Sequence, residues 1–158
     1  MNILLTNNLK NNGLKEKGIV SDNNCQFHAI VDQCLQNGIT GWDHKKLRIA
    51  AVEWLKKNKE MKVEEIQIKE LFDINENKII QLQQYNNVWG DESTLFAMSQ
   101  ILNAQIRLYS SIKLGEILYI NPIHKQHNYV FHLGYYQNMH YVSTIPSPVP
   151  MVSSSKDN

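Results

Sequence analysis

The apolar spacing of this chain changes character once, at Gln105, and that switch limits the folds open to it. Before it, Phe27, Ile30, Val31, Cys34 and Leu35 follow the i, i+3, i+4, i+7, i+8 series of one helical face, and Leu47, Ala50, Ala51, Trp54 and Leu55 repeat it. The first series predicts a helix from Cys25 to the Asn37-Gly38 stop. The second predicts a helix over 43–58 with Asp43 as N-cap. A third runs from Ser93 to Leu102 with Leu95, Met98 and Leu102 inward, and the charged stretch 61–86 reads as two short helices separated by Asp73-Ile74-Asn75. From Gln105 the pattern is one of strands: Gln105–Ser110, Leu114–Ile120, Asn128–Leu133 and Met139–Ile145, parted by Gly115, Asn121-Pro122 and Gly134. Helices followed by neighbouring strands predict an α+β fold, a mostly antiparallel sheet packed between helices.

A chain of 158 residues has room for one such domain. Its 42% hydrophobic and 20% charged residues are globular values. A net charge of +1 offers no electrostatic footprint for nucleic acid, so no nucleic-acid partner is expected. The run Ile3-Leu4-Leu5 is too short for a signal peptide and nothing approaches the roughly 20 apolar residues of a spanning helix. No membrane partner is expected, and the cytosol is the default location. Residues 1–16, with Asn7-Asn8 and Asn11-Asn12, are expected to be a flexible arm, and the Pro/Ser-rich stretch 146–158 a tail or linker, leaving 17–145 as the domain. Cys25 and Cys34 lie on one predicted helix about 13 Å apart along its axis, too far for a disulfide. Both are expected as reduced thiols.

The stretch Ser21-Asp22-Asn23-Asn24-Cys25 delivers a cysteine to the first turn of a helix. Unpaired amides and the positive end of the helix dipole favour thiolate there, and the same amides could hold an oxyanion. The best candidate for the base that such a nucleophile requires is His140 on the last strand, 115 positions after Cys25. The residues alone leave a second reading open, in which Cys25 is a small buried hydrophobe and His140 is structural.

Asp22-Asn23-Asn24-Cys25 with Phe27, Ala29 and Ile30 resembles the signature Asp-Gly-Asn-Cys-x-Phe-x-Ala of the ovarian-tumour (OTU) family of cysteine proteases. Three further blocks follow in that family's order: Leu47-Arg48 with Val52 and Asn58; Val88-Trp89-Gly90-Asp91 with Leu95, Ala97 and Met98, then Ile106–Tyr109; and His140-Tyr141. The resemblance spans about Lys17 to Ile145 and implies a papain-like fold. It implies a deubiquitinase that hydrolyses the isopeptide bond between ubiquitin, or a ubiquitin-like protein, and a lysine. Cys25 would be the nucleophile and His140 the general base, forming a thiolate–imidazolium pair at acidic to neutral pH. Asp22 would shape an oxyanion hole whose donors are the amides of Asn23, Asn24 and Cys25. Trp89, Gly90 and Tyr141 would flank the ubiquitin tail. No cofactor or metal is implied; ubiquitin is the expected partner and a monomer the expected state. A catalytically impaired ubiquitin-binding module is the alternative.

Three positions depart from the pattern. Asn23 replaces a glycine, and Asn tolerates the left-handed backbone that such a turn requires. Thr94 replaces a glutamate, a change expected to bear on packing. Val142 stands two residues after His140, where many members carry an Asp or Asn that orients the histidine, and valine accepts no hydrogen bond. Asn138 or the arm's Asn7, Asn8, Asn11 and Asn12 are the candidates to replace it. His124 and His127 fall short of zinc spacing. Cys34 is expected in the core, and His28 and His44 at the surface or in helix packing. In the charged region, Ile66, Ile68, Leu71 and Phe72 either meet ubiquitin or fill the core. The Asn-, Lys- and Ile-rich composition fits an AT-rich genome; a ubiquitin protease of a bacterium or virus would work in the host cytosol.

Overall fold

The structure, a computed structural model, describes residues 2–18, 22–83, 89–124, 126–137 and 140–148. Three helices form where the apolar series predict them. Helix α1 precedes them, so in chain order they are α2 (Cys25–Gln36), α3 (His44–Asn58) and α6 (Glu92–Leu102). Asp43 caps α3 by accepting from the Lys46 amide at 2.8 Å. Asp91 caps α6 in a reciprocal box with Thr94, and Asn103 ends it in the left-handed region at φ 49°.

The sheet has the order β1-β7-β6-β4-β5, built from β1 (Leu14–Lys17), β4 (Ala104–Ser110), β5 (Ile117–Ile120), β6 (Tyr129–Tyr136) and β7 (His140–Pro146). Only the β4–β6 pairing is parallel among these strands; β1–β7, β4–β5 and β6–β7 are antiparallel. Side chains alternate across it. Ile106, Leu108, Phe131, Leu133 and Tyr141 join the core beneath α2, α3 and α6. Tyr109 and Val142 face the other way, onto Leu5, Leu9 and Leu14.

That second face overturns the expectation of a flexible arm. Ile3–Lys10 is α1, capped by Asn2 on the Leu5 amide at 2.8 Å, and Leu14–Lys17 is the edge strand β1. Its polar composition hid the reason. Leu5 and Leu9 are buried, and the buried Asn8 bonds the Ser110 and Lys113 carbonyls and the Gly115 amide. Those are tertiary partners more than 100 positions away, which local spacing does not carry.

The region 61–86 differs in part. Lys62–Val63 (β2) and Ile66–Gln67 (β3) form a two-stranded hairpin whose turn, Glu64-Glu65, has positive φ at both residues. Two short helices follow, α4 (Ile68–Leu71) and α5 (Glu76–Gln83), on either side of the predicted Asp73-Ile74-Asn75 break. Pro146 lies within β7 opposite Leu14, and the Ser147 amide donates to the Gly13 carbonyl at 2.7 Å; the remainder of the predicted tail, from 149, lies outside the described residues.

Candidate functional site

Cys25 opens α2 and His140 opens β7, and α2 packs along β7. Where the two elements begin, the Tyr141 amide donates to Cys25 Sγ at 3.5 Å, and farther along Gln33 of α2 donates to Ser143 and Thr144 of β7. The thiol therefore lies against the peptide that joins His140 to Tyr141. Cys25 is 3% exposed, while His140 is half-buried, its ring tilted against that of Tyr136 at 5.6 Å.

Burial pushes the Cys25 thiol up from its ordinary value. The amides of Tyr141, Gln26 and Cys25 itself pull it down, and the Asp22 carboxylate pushes it up again. The net direction is opposite to the expectation drawn from a helix N-terminus alone. The amides are aimed at sulfur as that argument requires, but loss of water outweighs them. Cys34 is a fully buried core thiol, as expected, pushed up to about 11 by burial.

The loop before Cys25 is built by Asp22 and Arg48. Asp22 Oδ1 accepts from the Asn24 amide at 2.8 Å and its carbonyl from the Cys25 amide at 3.2 Å; Oδ2 lies 3.5 Å from His28 Nε2. Two of the three expected oxyanion donors, the Asn24 and Cys25 amides, thus both donate to Asp22 in this structure. Asn23 is not among the described positive-φ residues, so the turn forms without left-handed backbone there, and its side chain accepts from Trp89 Nε1. His28 and His44 stack on one another at 4.3 Å, a packing role.

Arg48 is the residue whose importance motif reading missed. It is fully buried, lies 4.5 Å over the Phe27 ring, and donates to Asn24 Oδ1 at 2.9 Å and 3.2 Å, the Asn23 carbonyl at 3.2 Å and the Leu82 carbonyl at 3.0 Å. A charged residue on the inward side of an amphipathic helix was the available signal.

Gln26 joins this loop to α6. Its Nε2 donates to the Asp91 carbonyl at 3.0 Å, its Oε1 accepts from the Thr94 hydroxyl at 2.6 Å, and it bonds the Tyr141 hydroxyl. Thr94 thus acts in packing and capping, as expected. Gly90 lies hard against this hub, where a Cβ would meet Gln26 Oε1 at 2.2 Å. Trp89 is 38% exposed beside the loop, whereas the Tyr141 ring is buried and touches the site through its backbone. Tyr141 and Tyr135 also border an apolar groove of about 700 Å³ that runs past Phe96 and Phe72 to β5.

Of the residues left between ubiquitin and core, Ile68 is fully buried and Phe72 packs on Phe96 at 5.3 Å, while Ile66 and Leu71 are exposed. The Asn8 side chain is engaged by Ser110, Lys113 and Gly115 and that of Asn12 by the Asn8 carbonyl, so they do not orient His140; Asn138 lies outside the described residues. Val142 is buried in the α1-side core. Among the described residues no group of three or more His, Cys, Asp or Glu could hold a metal ion.

A helix-end thiol lying against a strand that begins with histidine, in a sheet flanked by helices, defines the papain-like class of cysteine-protease folds. Residues 20–143 match the OTU-like cysteine proteases, and the chain belongs to that family. It is 29% identical over 140 residues to ovarian tumor domain-containing deubiquitinating enzyme 11 of Arabidopsis thaliana, covering 89% of this chain and 54% of that protein. Enzyme 9 of the same plant is 26% identical over 141 residues, covering 87% and 38%. The chain thus spans about half or less of these relatives' length. Among solved structures, the OTUD1 OTU domain superimposes with a TM-score of 0.66 at 19% identity, covering 87% of this chain and 89% of that one. An OTU domain in complex with ubiquitin gives 0.63 at 18%, covering 83% and 69%.

Proposed function

We propose that the chain is a thiol-dependent deubiquitinase with Cys25 as nucleophile and His140 as its base. The observation that carries the proposal is the contact of Cys25 Sγ with the amide that follows His140, which brings a helix-end thiol to the strand bearing the histidine. Family membership and relatives named as deubiquitinating enzymes support the activity, and the related domain solved with ubiquitin supports the substrate.

Because burial favours the neutral thiol, His140 has to take its proton before or as sulfur attacks the carbonyl carbon of the ubiquitin C-terminal glycine. The oxyanion forms beside the Cys25 amide. As the C–N bond to the lysine breaks, the imidazolium gives its proton to the leaving amine, leaving a thioester. His140 then takes a proton from water, hydroxide adds, and the carboxylate departs as the proton returns to sulfur. Asp22 and Arg48 hold the loop; Trp89 and Gly90 flank the entry, and Tyr141 contributes its amide.

The test is a ubiquitin probe with a C-terminal electrophile, applied to the wild type, Cys25→Ala and Cys34→Ala. An adduct that persists in Cys34→Ala and vanishes in Cys25→Ala is expected. Val142 and the raised thiol favour a second reading, a ubiquitin-binding module without turnover. Saturable ubiquitin binding with no adduct would establish it.

A further inference from the structure

Position 142 is closed to a polar residue. Val142 is 2% exposed, and a Cβ on Gly134, opposite it in the register, would come within 2.7 Å of Val142 and 3.1 Å of Leu5. An oxygen there would be buried against apolar carbon. What His140 meets instead is Tyr136, its direct cross-strand partner, with ring centroids 5.6 Å apart and planes at 40°. Tyr136 is itself fixed: its hydroxyl donates to Glu16 Oε1 at 2.8 Å, across β7 on β1. Burial and then the Glu16 carboxylate push the phenol up to about 12, so it remains a donor throughout the working pH range.

We propose that Tyr136, anchored by Glu16, is the positioning residue for His140, its ring fixing the imidazole and stabilising the imidazolium. This rests on the reading of Cys25 and His140 as the catalytic pair. Three strands contribute one residue each: β1 the anchor, β6 the ring and β7 the base. A Tyr ring within about 6 Å of a cation attracts it, and a phenol bonded to a carboxylate is the more electron-rich ring. The other titratable groups on the elements packed here are Asp22 and Cys25 at the start of α2, Asp32 farther along it, paired with Lys17 of β1 and bonded to Ser143 of β7, and Tyr135 and Tyr141, whose rings meet at 4.9 Å.

The experiment compares the wild type with Tyr136→Leu, Tyr136→Phe and Glu16→Gln in two readouts. One is cleavage of ubiquitin bearing a C-terminal fluorogenic amide, across pH. The other is an NMR titration of the His140 imidazole. Tyr136→Leu is expected to lower kcat about tenfold with KM within about twofold. It should also move both the acidic limb of kcat/KM, which reports loss of the free base, and the His140 titration to lower pH by about half a unit. Tyr136→Phe and Glu16→Gln keep the ring and should fall between. A merely shielding ring predicts the opposite shift, because freeing the imidazole to water favours its charged form. A titration that stays in place or moves upward in Tyr136→Leu overturns the proposal. Should the wild type show no cleavage and no probe adduct, the catalytic reading is what fails, and the titration still decides whether Tyr136 holds His140.

Discussion

Arg48→Met should cost the fold about 3 kcal/mol, and the figure follows from what the guanidinium leaves behind. Asn24 Oδ1 and the Leu82 carbonyl are buried acceptors that it satisfies. Each stranded acceptor costs about 1–3 kcal/mol, offset in part because a charge no longer has to be desolvated. Met fills comparable volume, so little of the loss should come from a cavity. Urea unfolding, followed through the fluorescence of Trp42, Trp54 and Trp89, measures it; a chain of this length should also melt roughly 6–12 °C lower. The decisive comparison is with Asn24→Ala and the double variant. Because the two residues share bonds, the double should be less destabilised than the sum of the singles by about 1–3 kcal/mol. Arg48→Lys should recover little, since one ammonium cannot span acceptors on two segments. A loss below about 0.5 kcal/mol, or strict additivity with Asn24→Ala, would refute the view that Arg48 holds this loop.

Gly90→Ala places a methyl 2.2 Å from Gln26 Oε1, whose side chain is held by Asp91 and Thr94, so a loss of about 1–3 kcal/mol is expected together with slower probe labelling at the adjacent Cys25. Leu5→Ala should lose about 2–4 kcal/mol in urea unfolding if α1 belongs to the cooperative unit, and a loss near zero would return the arm to solvent. The Cys34 thiol, at about 11 when folded against an ordinary 9.0, binds its proton more tightly in the native state. Its contribution is therefore complete below pH 9.0 and is lost as pH rises toward 11, up to about 2–3 kcal/mol, and unfolding of Cys34→Ala should be correspondingly less steep in that window. Alkylation near neutral pH should label Cys25 ahead of the fully buried Cys34, and equal rates would argue against a distinct environment for Cys25.

Helices α2, α3 and α6 were legible because each carries a complete apolar series between recognisable start and stop signals. Helix α1 was not, since its eight residues bury only Leu5, Asn8 and Leu9, and Asn8 earns its place through bonds to residues 110–115. The β2–β3 hairpin eluded the reading because two-residue strands have no period to detect and Glu64-Glu65 is an unusual pair for a positive-φ turn. At the site, the order of blocks was enough to single out Cys25 and His140 as candidates, but not the balance of forces on the thiol. That balance depends on how much water the α2–β7 contact excludes, a property of the packed molecule.

The geometry divides the site into two halves anchored in different cores. Arg48 fixes the loop before Cys25 from the α3 side, bonding into α5 and stacking on Phe27. Tyr136 meets His140 at the sheet end and packs with the α1-side cluster. Nearest the site, the halves touch where the Tyr141 amide reaches Cys25 Sγ and where Gln26, next to Cys25, bonds the Tyr141 hydroxyl; farther along α2, Asp32 and Gln33 bond Ser143 of β7. Groups that share no partner should perturb independently. Variants of Arg48 and Tyr136 should therefore be additive in unfolding free energy. Variants of Gln26, which belongs to both halves, should be coupled to each. Coupling between Arg48 and Tyr136 above about 0.5 kcal/mol, with none through Gln26, would mean that the halves communicate by a route other than this seam.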